Sequence, residues 1–278
     1  MKSLGSLRAD AARIWTTALR AVDPEVAVRK TVRRDGSTLR IDGCRFDLGK
    51  VGKVWVVGAG KAAAPMGRAI EKILGRHLAG GCLVTKYGHG LALKKLEIME
   101  AGHPLPDANG VASAARIAGL AKNQIGPNDL VLCLFSGGAS SLLVRPAPGI
   151  TLEDKLACTR LMLDAGADIR EMNAVRKHLS GIKGGGLARL LSHAAAVSLI
   201  LSDVVGDDIG TIASGPMAPD ATTFSDCLAI FEKYGLSDRL PRAVTRRFEA
   251  GSAGEIPETP KAGDRVFRNS ETRIVGSN

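Results

Sequence analysis

The sequence predicts an α/β protein with a doubly wound, mostly parallel sheet and helices on both faces. Short apolar runs that suit buried strands alternate with segments that suit helices along most of the chain. The chain has 33 glycines and only 4% aromatic residues, which favours many tight turns between strands and helices. Its 278 residues, 45% hydrophobic and 24% charged, are enough for one large domain or two smaller ones.

The first predicted elements are two helices and a hairpin. An apolar stripe that includes Leu7, Ile14, Trp15 and Leu19 predicts an amphipathic helix over residues 6–21. A second, short helix is predicted over 25–32, and two strands, 38–41 and 44–47, form a hairpin that turns at Asp42-Gly43.

Five buried strands and seven further helices follow. The strands are predicted at 54–57, 82–85, 96–101, 130–135 and 195–201. One helix ends at Leu74, and the others span 108–124, 152–165, 169–179, 187–191, 225–234 and 241–250. Thr151 and Asp154 predict a capping box for the third of these, Ser225 is the predicted N-cap of the sixth, and Pro241 opens the last.

Composition divides the chain near its C-terminal end. Residues 1–250 are predicted to form the main α/β domain, and residues 251–264 are predicted to be a linker because they are rich in glycine, proline and charge. The last segment, 265–278, contains the beginning of a strand at Arg273 and then stops. It is interpreted as the start of a second domain that is cut short.

Charge and cysteine usage limit the class of protein. The formal net charge is +10, but the positive residues are dispersed and are not interleaved with aromatic residues, so the sequence predicts no nucleic-acid partner. An anionic small substrate explains the charge equally well. Cys82 and Cys133 fall in apolar runs and are expected to be buried thiols. With no secretory leader and no run of membrane-spanning length, a cytoplasmic protein that binds no membrane is predicted.

Parallel sheets of this class bind ligands at the carboxyl ends of their strands, where the strand order reverses. Five loops leave predicted strands at that edge, and each carries glycine, charge or both. They are residues 58–64, 86–90, 102–107, 136–141 and 202–208.

The first of these loops, Gly58-Ala59-Gly60-Lys61-Ala62-Ala63, matches a dinucleotide fingerprint between a strand and a helix. The ribose-binding acid expected about 20 residues on is replaced by Thr85-Lys86, which argues against NAD but leaves NADP open. The loop is not a Walker A motif either. A solvated lysine is the alternative interpretation, but because a cation at a helix N-terminus opposes the helix dipole, we favour a phosphate contact for Lys61.

Three other stretches could bind anions or metal. The loop Ser136-Gly137-Gly138-Ala139-Ser140-Ser141 suits either an anion site or a plain tight turn. In residues 173–186, Arg176, Lys183 and the glycine run could hold phosphate oxygens, although a solvated basic helix is the alternative. Asp203 and Asp207 follow a strand and could bind Mg²⁺, accept a proton from a substrate hydroxyl or simply form a polar turn.

Taken together, five motifs resemble the glycerate 2-kinases that carry a C-terminal MOFRL domain, a family whose members are also labelled hydroxypyruvate reductases. The motifs are GAGKA at 58–62, GHPLPD at 102–107, SGGASSLL at 136–143, NAVRKHLSGIKGGGLA at 173–188 and LSDVVGDDIGTIASGP at 201–216. The resemblance implies ATP-dependent phosphorylation of D-glycerate to 2-phosphoglycerate with a divalent metal, in a cleft between two domains. It also implies that Lys61 is catalytic and that the MOFRL domain is lacking here, so the chain is expected to be either a fragment or a truncated homologue.

The predicted site combines both lines of inference. Lys61 and Asp203 are the predicted catalytic residues, and Asp203 and Asp207 the predicted Mg²⁺ ligands. The predicted substrate and phosphate contacts are Gly58, Gly60, Ser136, Gly137, Gly138, Ser140, Asn173, Arg176, Lys183, Gly184 and Gly185. The expected ligands are ATP, Mg²⁺ and D-glycerate, and a homodimer is expected. An NAD(P)H-dependent hydroxypyruvate reductase and a non-catalytic nucleotide- or glycerate-binding domain are the alternatives.

Overall fold

The computed structural model describes residues 3–277 and begins with two helices and a small antiparallel sheet. Helix α1 spans Leu4–Ala21 and helix α2 spans Pro24–Thr31. Strands β1 (Val32–Asp35), β2 (Thr38–Ile41) and β3 (Cys44–Asp47) pair antiparallel in that order. The predicted hairpin is confirmed by β2 and β3, which turn at residues with φ of 35° and 87°. Strand β1 was not predicted.

Helix α1 forms as predicted, but its apolar stripe is not packed against the protein. None of its residues is buried, and Ile14 and Trp15 are 71% and 67% exposed. The chain instead packs through α2, where Ala27 and Val28 are buried. Periodicity predicts which face of a helix is apolar, but it does not predict that a partner surface lies opposite that face.

The main sheet consists of six parallel strands, in the spatial order β6-β5-β4-β7-β8-β9. They are β4 (Val54–Ala59), β5 (Leu78–Lys86), β6 (Leu96–Ala101), β7 (Leu130–Ser136), β8 (Ala195–Leu201) and β9 (Ser270–Gly276). The order reverses between the central strands β4 and β7. Their carboxyl ends therefore form the crevice where sheets of this kind bind ligands.

The helices cover both faces of this sheet, as predicted for a doubly wound fold. After α2 they are α3 (Ala63–Leu74), α4 (Ala108–Asn123), α5 (Ala139–Leu142), α6 (Leu152–Asp164), α7 (Ile169–His178), α8 (Gly186–Leu191), α9 (Phe224–Lys233) and α10 (Arg242–Ser252). The capping box predicted at Thr151 and Asp154 is present at the start of α6. Within residues 3–277, no helix has both the length and the apolarity that a membrane crossing requires.

Strand β7 shows how the two layers share the sheet. All seven of its residues are buried. Val131, Cys133 and Phe135 pack in the cluster with α4 and α8, whereas Leu132 and Leu134 pack in the cluster with α2 and α3. A strand covered on both faces gains burial at every residue, which accounts for its continuous apolar sequence. A third apolar cluster joins α6, α7, α9 and α10 into a helical lobe.

The starts of two helices in the C-terminal third differ from prediction. Helix α9 begins at Phe224 and is capped by Thr223, because the Thr223 hydroxyl accepts the amide of Asp226; Ser225 therefore lies inside the helix. Pro241 is the N-cap of α10 and precedes its first helical residue.

The last strand also differs from prediction, because β9 begins at Ser270 and pairs in parallel with β8 in the main sheet. It is therefore an edge strand of the same sheet as β4–β8. The segment 251–264 packs against the rest of the chain. Pro260 is buried, and Glu258 Oε1 accepts a hydrogen bond from the amide of Phe224 at 2.7 Å. The domain boundaries predicted from composition remain a prediction.

Candidate functional site

The loops that leave β4 and β7 lock together at the reversal of strand order. The amide of Lys61 donates to the carbonyl of Gly137 at 2.9 Å, and the amide of Ala62 donates to Ser136 Oγ at 3.0 Å. We call residues 58–63 and 136–138 the switch-point loops. Lys61 thus stands just before α3 with its backbone fixed, and its side chain is free of any ion pair within the described part of the chain.

The glycines of the fingerprint are required by packing. A Cβ on Gly58 would lie 2.0 Å from the Leu134 carbonyl oxygen, and one on Gly60 would lie 2.1 Å from Ser136 Oγ. The Gly60 amide donates to the Val84 carbonyl at 3.0 Å. Both glycines therefore serve the close approach of neighbouring strands, and their phosphate-binding role stays a prediction.

Three side chains surround the second switch-point loop. A Cβ on Gly137 would lie 1.9 Å from Asp203 Oδ2. One on Gly138, whose φ is 88°, would lie 3.0 Å from His103 Nε2 and 3.3 Å from Lys61 Cγ. The structure therefore brings the predicted catalytic residues Lys61 and Asp203 to the same loop. It adds His103, which belongs to a recognised motif but was not among the predicted site residues.

The surroundings of His103 favour the neutral form of its imidazole. Burial and the positive charges of Lys61 and Lys86 all lower the pKa of its imidazole below the usual value of 6.5. Its Nε2 lies beside the Gly138 backbone, as the contact above shows. A neutral imidazole here can donate or accept one hydrogen bond without adding to the positive charge of Lys61.

A cavity of about 380 Å³ adjoins these residues. Lys61, Ser136 and Asp203 line it on the side of the sheet, and α2 and the end of β9 close the other side. The amide of Ser202 donates to the Gly276 carbonyl at 2.9 Å, which ties the loop of Asp203 to β9. The last strand of the sheet therefore forms part of the cavity wall.

Asp207 is set apart from Asp203 by its hydrogen bonds. Its Oδ1 accepts the Ser277 hydroxyl at 2.9 Å. Hydrogen bonds from the Ser202 and Ser277 hydroxyls lower the pKa of the Asp207 carboxyl. Within residues 3–277, no three His, Cys, Asp or Glu side chains form a group that could hold a metal ion. Since Mg²⁺ beside phosphates takes one or two carboxylates and otherwise water and phosphate oxygens, Asp203 at the cavity fits such an ion.

The remaining predicted side chains form a second group around Ser140. Arg176 Nη2 donates to Ser140 Oγ at 2.7 Å, and Lys183 Nζ donates to the Ser140 carbonyl at 2.6 Å. Ser140 Oγ also lies 2.8 Å from Ser214 Oγ, which donates to Asn173 Oδ1 at 3.1 Å. The basic-helix alternative does not describe this arrangement, because Lys183 is only 3% exposed.

A lysine that was not predicted completes this group. Lys155 on α6 is 8% exposed and donates to the Leu179 carbonyl at 2.9 Å. We call the cavity lined by Ser140, Lys155, Arg176 and Lys183 the cationic pocket. The sequence around Lys155 gives no local signal, because it reads as one basic residue in an ordinary helix; only the packing of α6 on α7 brings it to the pocket.

The glycines Gly184 and Gly185 have a structural role. Their amides donate to the carbonyls of Ser214 and Gly215 at 3.0 and 2.8 Å, and their φ values are 50° and 78°. Both amides are therefore already paired within the protein, and the phosphate-binding role of these glycines stays a prediction. The glycine run lets the chain turn and places Lys183 beneath Ser140.

The predicted site residues thus divide into two neighbouring groups, joined by the stretch 136–140. One group consists of Lys61, Asp203 and the switch-point loops, and the other is the cationic pocket. Ser136, at the end of β7, belongs to the first group, and Ser140, in the short helix α5, belongs to the second, so only residues 137–139 lie between them. This is the arrangement that a polyanion with a reacting end would require.

Comparison with known proteins supports the same interpretation. The family model described as "Domain of unknown function (DUF4147)" matches residues 10–249. A glycerate 2-kinase of Pyrococcus horikoshii is 43% identical over 249 residues, which are 90% of this chain and 55% of that protein. A putative hydroxypyruvate reductase of Agrobacterium vitis is 42% identical over 265 residues, which are 95% of this chain and 55% of that protein.

A solved structure extends the similarity to three dimensions. The crystal structure of a glycerate kinase from Thermotoga maritima matches with a TM-score of 0.81 at 38% identity, covering 98% of this chain and 59% of that one. The chain spans about half the length of the curated relatives it matches. The resemblance inferred from the five motifs is confirmed: the chain belongs to the DUF4147 family and is a homologue of the glycerate kinases.

Proposed function

We propose that this chain carries the catalytic machinery for ATP-dependent phosphorylation of D-glycerate to 2-phosphoglycerate, in a cleft between domains. The observation that carries the proposal is the convergence of Lys61 and Asp203 on Gly137 and Gly138, at the reversal of strand order. Phosphoryl transfer depends mainly on positioning and charge neutralisation. An unpaired lysine facing a carboxylate across a glycine loop supplies both, and relatives named glycerate 2-kinase support the substrate.

The residues have complementary roles in this proposal. Lys61 neutralises the negative charge on the phosphoryl group as it is transferred. Asp203 either accepts the proton of the attacking glycerate hydroxyl or holds Mg²⁺, and Asp207 is the second candidate for the metal. Bound Mg²⁺ would neutralise charge on the phosphate oxygens. A cytoplasmic location and a homodimer remain predictions.

The direct test incubates the 278-residue chain with ATP, Mg²⁺ and D-glycerate and measures ADP. We expect ADP release that depends on D-glycerate, and phosphorus NMR should show the phosphate coupled to the proton on carbon 2. Lys61→Ala should reduce turnover about a hundredfold or more, whereas Lys50→Ala, at an exposed lysine on a distant turn, should not. Unchanged turnover in Lys61→Ala would remove this lysine from the mechanism.

Reduction of hydroxypyruvate by NAD(P)H is the second candidate, because the fingerprint at residues 58–63 and relatives with that name favour it. Two observations weigh against it. Strand β5 ends at Lys86 where an acid would bind the ribose, and the amides of Gly60 and Lys61 are already paired. Loss of NADPH absorbance on addition of hydroxypyruvate would support the reductase. Calorimetric binding of ATP or glycerate without turnover would instead favour a non-catalytic binding domain.

A further inference from the structure

The cationic pocket contains buried positive charge without a matching carboxylate. Lys155, Arg176 and Lys183 make no ion pair with any carboxylate in residues 3–277. Their neighbour Lys177 differs, because its Nζ lies 3.3 Å from Asp220 Oδ1. Buried cations that lack a counter-charge are costly unless a ligand supplies one.

Within the described residues, Lys155 and Arg176 also have N–H groups that donate to no protein atom. Within the described residues, Lys155 uses one of its three N–H groups, toward Leu179, and Arg176 uses one of its five, toward Ser140. Lys183 differs because its Nζ already contacts the carbonyls of Ser140 and Leu143 and the Ser140 hydroxyl. The ammonium group of Lys183 is therefore already engaged within the protein, whereas Lys155 and Arg176 can bind ligand oxygens directly.

The walls of the pocket are apolar, in contrast to its floor. The pocket has a volume of about 490 Å³. Residues 104–106 line one side, and Leu156 and Leu163 of α6 and Met172 of α7 line the other. Its one lining carboxylate within the described residues is that of Asp164, which is exposed, and the exposed Arg160 lines the pocket as well. A three-carbon hydroxy acid would leave these apolar walls uncovered, whereas a nucleoside would cover them.

We propose that the cationic pocket is a binding site for a nucleoside polyphosphate, with its base against the apolar walls and its phosphates on Lys155 and Arg176. The pocket alone supports a ligand that combines an apolar ring with two or more negative charges. Its identification with the phosphoryl donor rests on the proposed kinase function. The stretch from Ser140 back to Gly138 then leads from the phosphates to Lys61.

The titration of Lys155 gives this proposal a distinctive signature. Burial and the positive charge of Arg176 lower the pKa of Lys155 to about 7, with Arg247 acting in the same direction and Cys158 opposing them. Burial, Arg176 and Lys155 also lower the pKa of Lys183. Bound phosphate favours the charged ammonium forms, so binding at about pH 8 should be accompanied by proton uptake.

Calorimetry of ATP binding to the 278-residue chain tests the proposal, using two buffers of different ionisation enthalpy at about pH 8. We expect net proton uptake in the wild type, and an affinity about tenfold lower or more with reduced proton uptake in Lys155→Met. Leu163→Glu places an acid on the rim at a position that is 61% exposed, so it should also weaken ATP without disturbing the fold. Leu7→Glu, on an equally open leucine of α1 that is 51% exposed, is the matched control and should bind ATP normally.

Tripolyphosphate and D-glycerate separate the contribution of the phosphates from that of the base. Inorganic tripolyphosphate should bind more weakly than ATP and be sensitive to Lys155→Met, because it has the charge but no ring. ATP affinity that is unchanged in both Lys155→Met and Leu163→Glu would overturn the proposal. So would binding of D-glycerate that these variants abolish while ATP binding persists.

The same measurements separate this proposal from the proposed function. If ATP binds in the manner described but no glycerate is phosphorylated, the pocket assignment stands and the kinase proposal fails. If glycerate is phosphorylated while ATP affinity is indifferent to both pocket variants, the kinase proposal stands and the pocket assignment fails.

Discussion

The switch-point loops and the cationic pocket lie side by side, but they are built in different ways. The loops are held by backbone atoms at very short range, and glycine is needed because a Cβ would meet a carbonyl or hydroxyl oxygen about 2 Å away. The pocket is held by side chains from α5, α6, α7 and the loop after α7. The first construction leaves a compact signature in sequence, whereas the second is assembled only by tertiary packing.

The largest expected effect comes from breaking the backbone construction. In Gly58→Ala the new Cβ meets the Leu134 carbonyl oxygen at 2.0 Å, and the φ of 150° is unfavourable for alanine. We expect a loss of about 3 kcal/mol or more in the free energy of unfolding, measured by urea denaturation. Gly119→Ala on α4 has open space around its Cβ and should instead stabilise by up to about 1 kcal/mol. Equal effects in the two variants would contradict this account of the loops.

A second substitution should damage the chemistry with little effect on the fold. In Gly137→Ala the new Cβ overlaps Asp203 Oδ2, the end of an exposed side chain that can move away. We expect glycerate phosphorylation to fall about tenfold or more, with a stability change below about 1 kcal/mol. ATP affinity at the cationic pocket should be unaffected. In an Asp203→Asn background the same substitution should add little, since both changes act on one group.

The cationic pocket should make the free energy of unfolding depend on pH. The folded pKa of Lys155 is about 7, well below its unfolded value of about 10.4. Between these two values the unfolded chain binds more protons than the folded chain, so this lysine makes stability rise with pH, on the order of 2 kcal/mol from about pH 6 to pH 9. Lys155→Met should lack that rise. Denaturant melts at both pH values measure it, and parallel curves for wild type and variant would refute the burial of a charged lysine.

The smallest effect is expected on α1, which belongs to neither region. Trp15→Gln removes a large apolar side chain that is 67% exposed. The free energy of unfolding should change by less than about 0.5 kcal/mol. Phe231→Ala, at a fully buried aromatic of the helical lobe, is the contrasting variant and should cost about 3–5 kcal/mol. A large loss in Trp15→Gln would show that the apolar stripe of α1 is covered in solution.

Sequence reasoning succeeded where a single segment carries the signal. The buried run of β7, the glycine loops, and the fold class follow from local pattern because strand burial and turn geometry are decided within a few residues. The position of Lys61 just before α3 likewise follows from its neighbours in the sequence, while its catalytic role stays a prediction. Motif order then identified the family, which the comparisons confirm.

It failed where residues far apart in the chain decide the outcome. Lys155 becomes a candidate site residue only because it lies near Arg176 and Lys183, and His103 only because it lies beside Gly138. The pairing of the Gly184 and Gly185 amides with the carbonyls of Ser214 and Gly215 could not be predicted from the sequence either. The start of β9 was misplaced by three residues and the cap of α9 by two, since edge pairing and side-chain caps depend on the final packing.

Because β9 forms part of its wall, the cavity can be completed only after β9 has been synthesised. Asp203 is synthesised before β9, but its loop is tied to the carbonyl of Gly276, and Asp207 to Ser277. At a translation rate of about 5–20 residues per second, the ribosome needs about 4–15 seconds to add the intervening chain. During that interval β8 is an unpaired edge, exposed to other nascent chains. The strand that completes the cavity is therefore also the one that covers the edge of β8.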